Sequence, residues 1–332
     1  MKCKICGSIK LKKIKVKELH LGFRDVFTYN YCLACGTIQL EKIPENLDKY
    51  YFDYYSFKFS PQSSKNSFKN VLRNKRNQFA VFRNRGNFWG WLLFKFFPES
   101  KLQSIGELDK NFINLNMKIL DIGCGSGQVL WQLSQLGFRN LEGIDPFIKT
   151  EYNKNFKIIK KNFLELTLPN KYDLIMFHHS LEHMIETPFV VLKKVHSLLN
   201  DNGYCLIRTP VSSSFAWDYY KENWVQLDAP RHIIIYSLRG LEILANKSDF
   251  LIEKIYYDST EFQFLGSEQY KRGIGLYDEN SWFKNPEKSF FTKHDIKKFK
   301  KLAKKLNKNF RGDQVCVFLR KKDKLKTLEE LE

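Results

Sequence analysis

Three glycines at alternate positions, Gly123, Gly125 and Gly127, stand between an apolar run and an amphipathic one. No other feature constrains the chain as much. Residues 118–122 read as a buried strand, and residues 128–136 as a helix gathering Val129, Leu130, Leu133 and Leu136 on one face. A strand that enters a helix through a glycine turn is the opening unit of an open α/β sheet, which binds ligands at the carboxyl ends of its strands. Glycine is needed there so that the backbone turns tightly and a ligand lies against it with no Cβ between.

The rest of the chain continues this pattern. Strands are expected at 141–144, ending on Asp145-Pro146, and at 156–160, 172–177 and 204–208, with two closing strands at 251–256 and 315–320. Gly137 is suited to end the first helix. Thr187-Pro188 supplies an N-cap followed by proline at the first helical position, and the helix it opens buries Val191, Val195, Leu198 and Leu199 before stopping at 200–203. Strands and helices alternating at this pace predict an α/β, Rossmann-like, seven-stranded, mostly parallel sheet with helices on both faces, over residues 117–325.

The ligand can be narrowed from the loop itself. Asp145, at the end of the second strand, is suited to accept hydrogen bonds from a ribose diol, which NAD would also offer. A dinucleotide site has Gly-x-Gly-x-x-Gly, with a helix N-terminus meeting a pyrophosphate. Here the spacing is Gly-x-Gly-x-Gly, and Asp121 just ahead of it would repel a phosphate. A phosphate-free nucleoside cofactor, S-adenosylmethionine, fits better. Residues 117 to about 255 resemble the class I S-adenosylmethionine-dependent methyltransferases. The resemblance rests on Lys118-Ile119-Leu120-Asp121-Ile122-Gly123-Cys124-Gly125-Ser126-Gly127, on Gly143-Ile144-Asp145, on the run from Tyr172 through His178-His179-Ser180-Leu181-Glu182-His183, and on Gly203-Tyr204-Cys205-Leu206-Ile207-Arg208-Thr209-Pro210. It implies cofactor contacts from Asp121, Gly123, Gly125, Gly127, Asp145, Pro146 and His178. Where the family carries an acid-containing loop near the adenine, this chain has Asn162-Phe163, whose amide can still bond the base.

Four of the seven cysteines form two Cys-x-x-Cys-Gly pairs, Cys3/Cys6 and Cys32/Cys35. The two-residue gap lets both thiolates reach one ion, and four thiolates make a closed, structural zinc site. The 25 residues between Cys6 and Cys32 exceed the usual ribbon spacing of about 15–20, which a longer hairpin accommodates. Residues 1–45 are therefore expected to form a small zinc-ribbon-like module. Cys124, Cys205 and Cys316 read as small core residues. The N-terminus carries no apolar leader, and a cytoplasmic setting is expected, which keeps thiols reduced.

Residues 46–116 are expected to form an aromatic and basic helical linker and cap. Between 71 and 97 there are Arg73, Lys75, Arg76, Arg83, Arg85 and Lys95 but no acid, interleaved with large apolar residues. Two readings stand: a linker packed on the main domain, or a peripheral helix at the inner membrane surface near lipid-linked substrates. The formal net charge of +19 is spread along the chain, which suits compositional bias better than a nucleic-acid interface.

The cysteine pairs, the Tyr-rich stretch from Leu47 to Ser56 and the core together resemble a bacterial subgroup whose members often belong to surface-polysaccharide or nucleotide-sugar pathways. That resemblance implies O-methylation of a sugar or sugar-derived acceptor. Proton removal from a hydroxyl calls for a base, and histidine suits neutral pH. His232, in Asp228-Ala229-Pro230-Arg231-His232, is the first choice, with His179 and His183 beside the fourth strand as the others. Trp217, Trp224, Arg231 and Tyr54 are expected to hold the acceptor. The alternatives are an RNA or other nucleic-acid methyltransferase using the ribbon and basic surface, or a sugar C-methyltransferase.

Overall fold

The computed structural model describes residues 1–51, 68–83, 87–98, 100–166 and 171–322. Its strands are β1 (Leu11–Lys17), β2 (Val26–Cys32), β3 (Ile38–Leu40), β4 (Lys118–Ile122), β5 (Asn140–Ile144), β6 (Tyr152–Asn153), β7 (Lys157–Ile159), β8 (Tyr172–His178), β9 (Leu199–Pro210), β10 (Ile234–Ile235), β11 (Phe250–Tyr257) and β12 (Gln314–Lys321). The helices are α1 (Phe68–Phe82), α2 (Phe88–Phe96), α3 (Ser100–Ile105), α4 (Gln128–Gln135), α5 (Pro188–Leu198), α6 (Phe215–Tyr220), α7 (Leu238–Lys247), α8 (Phe262–Lys271) and α9 (Lys293–Lys308).

The main sheet runs in the order β11-β12-β9-β8-β4-β5-β7-β6. β7, β5, β4, β8 and β9 are mutually parallel, and β12 lies antiparallel between β9 and β11. This is the expected α/β sheet, with eight strands rather than seven. The extra one is the two-residue β6, where the Tyr152 ring stacks on Phe156 at 4.4 Å and the chain folds back on β7. Residues 200–203, expected to lie between helix and strand, bulge within β9 instead. Its pairing with β8 jumps from Tyr172–Leu199 to Leu174–Tyr204.

Alternate side chains along the strands fill two separate cores, which is why the strands read as continuous apolar runs. Leu174, Met176, Leu206, Cys316 and Phe318 pack with Val129, Leu130 and Leu133 of α4 on one face. Ile175, Phe177, Cys205, Ile207, Val317 and Leu319 pack with Val191 and Val195 of α5 and Leu241 and Leu244 of α7 on the other.

The N-terminal hairpin β1–β2 continues through β3 into β10, so a strand from beyond β9 completes its four-stranded sheet. The amide of Leu40 donates to the carbonyl of Ile233, and Ser212 donates its hydroxyl to that of Gly36. These bonds bring the cysteine-bearing module and the Arg231-His232 stretch into one block.

Candidate active site

The chain order reverses at β4, which has β5 on one side and β8 on the other; the strand ends at such a switch point leave a crevice. Gly123, Gly125 and Gly127 all have positive φ, at 73°, 54° and 79°. A Cβ at Gly123 would lie 2.4 Å from Cβ of Ser180, and one at Gly127 2.4 Å from Cδ1 of Ile158. The loop therefore needs glycine both for its backbone angles and for its close approach to the next strands. Asp145 secures the loop: its carboxylate accepts from the amides of Gly125 at 2.9 Å and Phe147 at 2.8 Å. Burial pushes its pKa up, and those two amides oppose the rise. A carboxylate can accept about four hydrogen bonds, so capacity for a diol remains.

Above these strand ends lies a cavity of about 550 Å³. Its cofactor-type wall comprises Asp121, Gly123, Asp145, Pro146, Asn162, Phe163 and His178, all expected from sequence. Gly125 and Gly127 support the loop from behind. The amide of Asn162 is already engaged: its oxygen accepts from the Leu164 amide at 2.9 Å and its nitrogen donates to Glu186 at 2.7 Å. Cys124, read from sequence as a core residue, lines the cavity, whereas Cys205 and Cys316 are buried in the sheet.

The opposite wall carries histidines. His179 and His183 both line the cavity. His179 sits at φ 55°, and its Nδ1 lies 3.2 Å from a carboxylate oxygen of fully buried Glu182. The other Glu182 oxygen accepts from the Thr209 hydroxyl at 3.0 Å. Burial pushes the Glu182 carboxyl up, but the hydrogen bond from His179 and the neighbouring imidazoles outweigh it and hold it at about 2. Nδ1 of His179 thus donates to an ionised carboxylate, which leaves Nε2 as its basic nitrogen. Burial, and then the charge of Arg208, keep the His179 pKa below the ordinary 6.5. His183 donates from Nδ1 to the Arg231 carbonyl at 3.0 Å, and burial followed by His232 drives its pKa down to about 3.

Several residues expected at the acceptor stand behind this wall. His232 is nearly buried, its ring 4.6 Å from that of His183, and its Nδ1 donates to the Gln226 carbonyl at 2.8 Å. The Arg231 guanidinium is buried and clamped to both oxygens of Asp228 at 2.5 and 2.6 Å, so its charge is spent inside the protein. Trp217 and Trp224 are core residues 6.2 Å apart, the indole N–H of Trp224 donating to Asp313 at 3.0 Å. None of these four lines the cavity. Tyr54 lies outside the described residues.

Glu45, Leu47, Asp48, Tyr51 and Phe147, none of them expected at the site from sequence, also line the cavity. Tyr51 stacks on Phe147 with ring centroids 5.6 Å apart, and its hydroxyl is 3.2 Å from Nδ1 of His183. The Tyr-rich segment and the aromatic directly after Asp145-Pro146 were the available signals. For Glu182, the signal was its i+3 spacing from His179.

A second cluster lies in the N-terminal module. The sulfurs of Cys3 and Cys35 are 3.7 Å apart and those of Cys6 and Cys32 are 3.5 Å apart, and all four lie within 4.8 Å of one another. Tetrahedral zinc with Zn–S bonds of about 2.3 Å requires edges of about 3.8 Å, so the donors fit. The two turns are built alike: Gly7 donates to the Cys3 carbonyl and Gly36 to that of Cys32, with φ of 77° and 78°. The long spacing between the pairs is taken up by the β1–β2 hairpin.

Residues 95–255 match the methyltransferase domain family. Among curated proteins, a tRNA U34 carboxymethyltransferase of Helicobacter acinonychis is 30% identical over 122 residues, or 32% of this chain and 46% of that protein. A highly reducing polyketide synthase of Gibberella fujikuroi is 29% identical over 173 residues, 42% of this chain and 7% of that one. The chain thus spans less than half the length of these curated relatives. A solved S-adenosylmethionine-dependent methyltransferase from Archaeoglobus fulgidus is similar with a TM-score of 0.41 at 19% identity, covering 71% of this chain and all of that one. The family match falls on the strands that build the cavity, so residues 95–255 resemble a methyltransferase domain.

Proposed function

We propose that this chain transfers a methyl group from S-adenosylmethionine to a hydroxyl of a sugar or sugar-derived acceptor, with His179 as the base. The observation that carries this reading is the pairing of His179 with buried, ionised Glu182 on the cavity wall opposite the glycine loop and Asp145. The cofactor supplies an electrophilic methyl on a sulfonium. With S-adenosylmethionine bound, Asp145 would hold the ribose diol and the Gly123–Gly127 backbone the amino-acid portion. Tyr51 and Phe147 close the cavity side and keep water from the reacting groups. Nε2 of His179 would take the proton of the acceptor hydroxyl as its oxygen displaces S-adenosylhomocysteine from the methyl carbon, and Glu182 would steady the imidazolium. His183 and His232 brace this wall in place of acting as base. In the N-terminal module, Cys3, Cys6, Cys32 and Cys35 hold one structural zinc ion.

Incubation with labelled S-adenosylmethionine and a panel of nucleotide sugars and surface glycans tests the acceptor class. Label on a sugar oxygen supports the reading; label on a sugar carbon, or on none of the panel, contradicts it. A second reading, RNA methylation, draws on the net charge of +19 and on the similarity to the tRNA-modifying relative. It predicts RNA binding that weakens steeply with salt and label transfer to RNA.

A further inference from the structure

We infer that the outer face of α2 seats on an anionic lipid bilayer. On a helix turning by 100° per residue, Trp91, Phe88, Leu92, Phe96 and Trp89 share one side, with Lys95 among them. Phe88, Trp89 and Phe96 are 59%, 58% and 66% exposed, and Phe97 continues the patch beyond the helix. The opposite side is taken. Gly90 presses on α1 so closely that a Cβ there would meet the Lys75 carbonyl at 2.4 Å, and Phe94 packs on Phe79 at 5.6 Å. α1 is itself fixed to the methyltransferase domain. Ala80 and Val81 are buried, Phe82 stacks on Phe138 at 5.8 Å, and the Arg73 guanidinium lies 4.8 Å from the Trp131 ring on α4. The aromatics are therefore displayed on a rigid support.

Large aromatics this exposed on a nine-residue helix need a partner. Its charge setting chooses which. From 54 to 98 the sequence has no acid; of its described cations, Lys95 lies on α2 and Lys69, Lys75 and Arg76 on α1, whereas Arg83 is paired with Glu107 and Arg73 with the Trp131 ring. The core of a protein interface is depleted in lysine, whereas aromatic side chains flanked by cations suit the headgroup layer of an anionic membrane. Lys95 holds its ammonium 5.4 Å from the Trp91 ring, with an apolar stem that can lie along the bilayer while the charge reaches the headgroups. At about 1.5 Å per residue α2 is far too short to cross a core of about 30 Å, so it lies in the plane of the surface. Among the described residues, no helix is long and apolar enough to span. This inference does not depend on the acceptor.

The test is co-sedimentation of the full chain with vesicles of phosphatidylglycerol and phosphatidylcholine in equal parts, against phosphatidylcholine alone. The variant is Trp89→Ser/Trp91→Ser/Phe96→Ser. Wild type is expected to pellet with the mixed vesicles about tenfold more than with the neutral ones. The variant is expected to stay in the supernatant while retaining its melting temperature and its binding of S-adenosylhomocysteine. Wild type that fails to pellet overturns the inference, as does a variant that pellets equally. Absence of vesicle binding with a concentration-dependent dimer that the variant abolishes would assign the face to a second copy of the chain and likewise overturn it.

Discussion

In the proposed mechanism, His179 is the residue on which the chemistry turns. A non-glycine residue at φ 55° carries a cost of order 1–3 kcal/mol, and here it sets the imidazole between the cavity and Glu182. Replacing it with alanine is expected to lower kcat by about 10²–10⁴-fold with the affinity for S-adenosylhomocysteine unchanged, read by steady-state kinetics beside calorimetry. Equal kcat in the two proteins would remove His179 from the mechanism. The pH profile gives a separate check. A base must be neutral to act, and His179 titrates below 6.5, so kcat should rise on an acid limb centred below that pH and be flat through neutrality. Glu182→Gln removes the carboxylate that favours the imidazolium, which should lower kcat and shift that limb further to acid.

Among the elements, the cysteine module shares a sheet with β10 and abuts the Arg231-His232 segment, so a metal held by its cysteines would bear on the active-site wall. Cys6→Ser is expected to reduce bound zinc from one equivalent to none and to lower the melting temperature, with loss of turnover following from the loosened wall. Full zinc content in that variant would show that the four thiolates are not the ligands. How far such elements were legible depended on whether their signal was local. The glycine loop, Asp145 and the cysteine pairs announced themselves because backbone geometry and metal chemistry admit few residue types there. The acceptor side did not. Trp217, Trp224 and Arg231 stand in a stretch rich in groups that bind ligands, and only the fold shows Arg231 spent on Asp228 and Trp224 on Asp313. Conversely, Tyr51 and Phe147 come together from distant parts of the chain, which no spacing reveals.

For the molecule as a whole, buried histidines make stability fall in acid. Burial first, with Arg231 adding to it, lowers the His20 pKa to about 4, while an unfolded chain restores it to near 6.5. Between those values the unfolded state binds more protons, so stability declines as pH drops from 6.5 towards 4. His183 acts in the same direction down to about 3. His20→Asn keeps an acceptor beside Arg231 without a titrating ring, and its melting temperature should decline less over that interval than that of wild type; identical acid limbs would contradict the assignment. The larger claim is that the glycine loop, β5 and the N-terminal wall enclose a nucleoside cofactor without phosphates: its lack of phosphates rests on the glycine spacing and Asp121, its ribose contact on Asp145. Calorimetric titration of the purified chain with S-adenosylhomocysteine, NAD and the Asp145→Ala variant tests it most directly. The account predicts one S-adenosylhomocysteine site per chain, no NAD binding, and affinity lowered at least about tenfold in the variant, the loss of charge-assisted hydrogen bonds to the ribose. Binding of NAD, or S-adenosylhomocysteine affinity unaffected by the loss of Asp145, would contradict it.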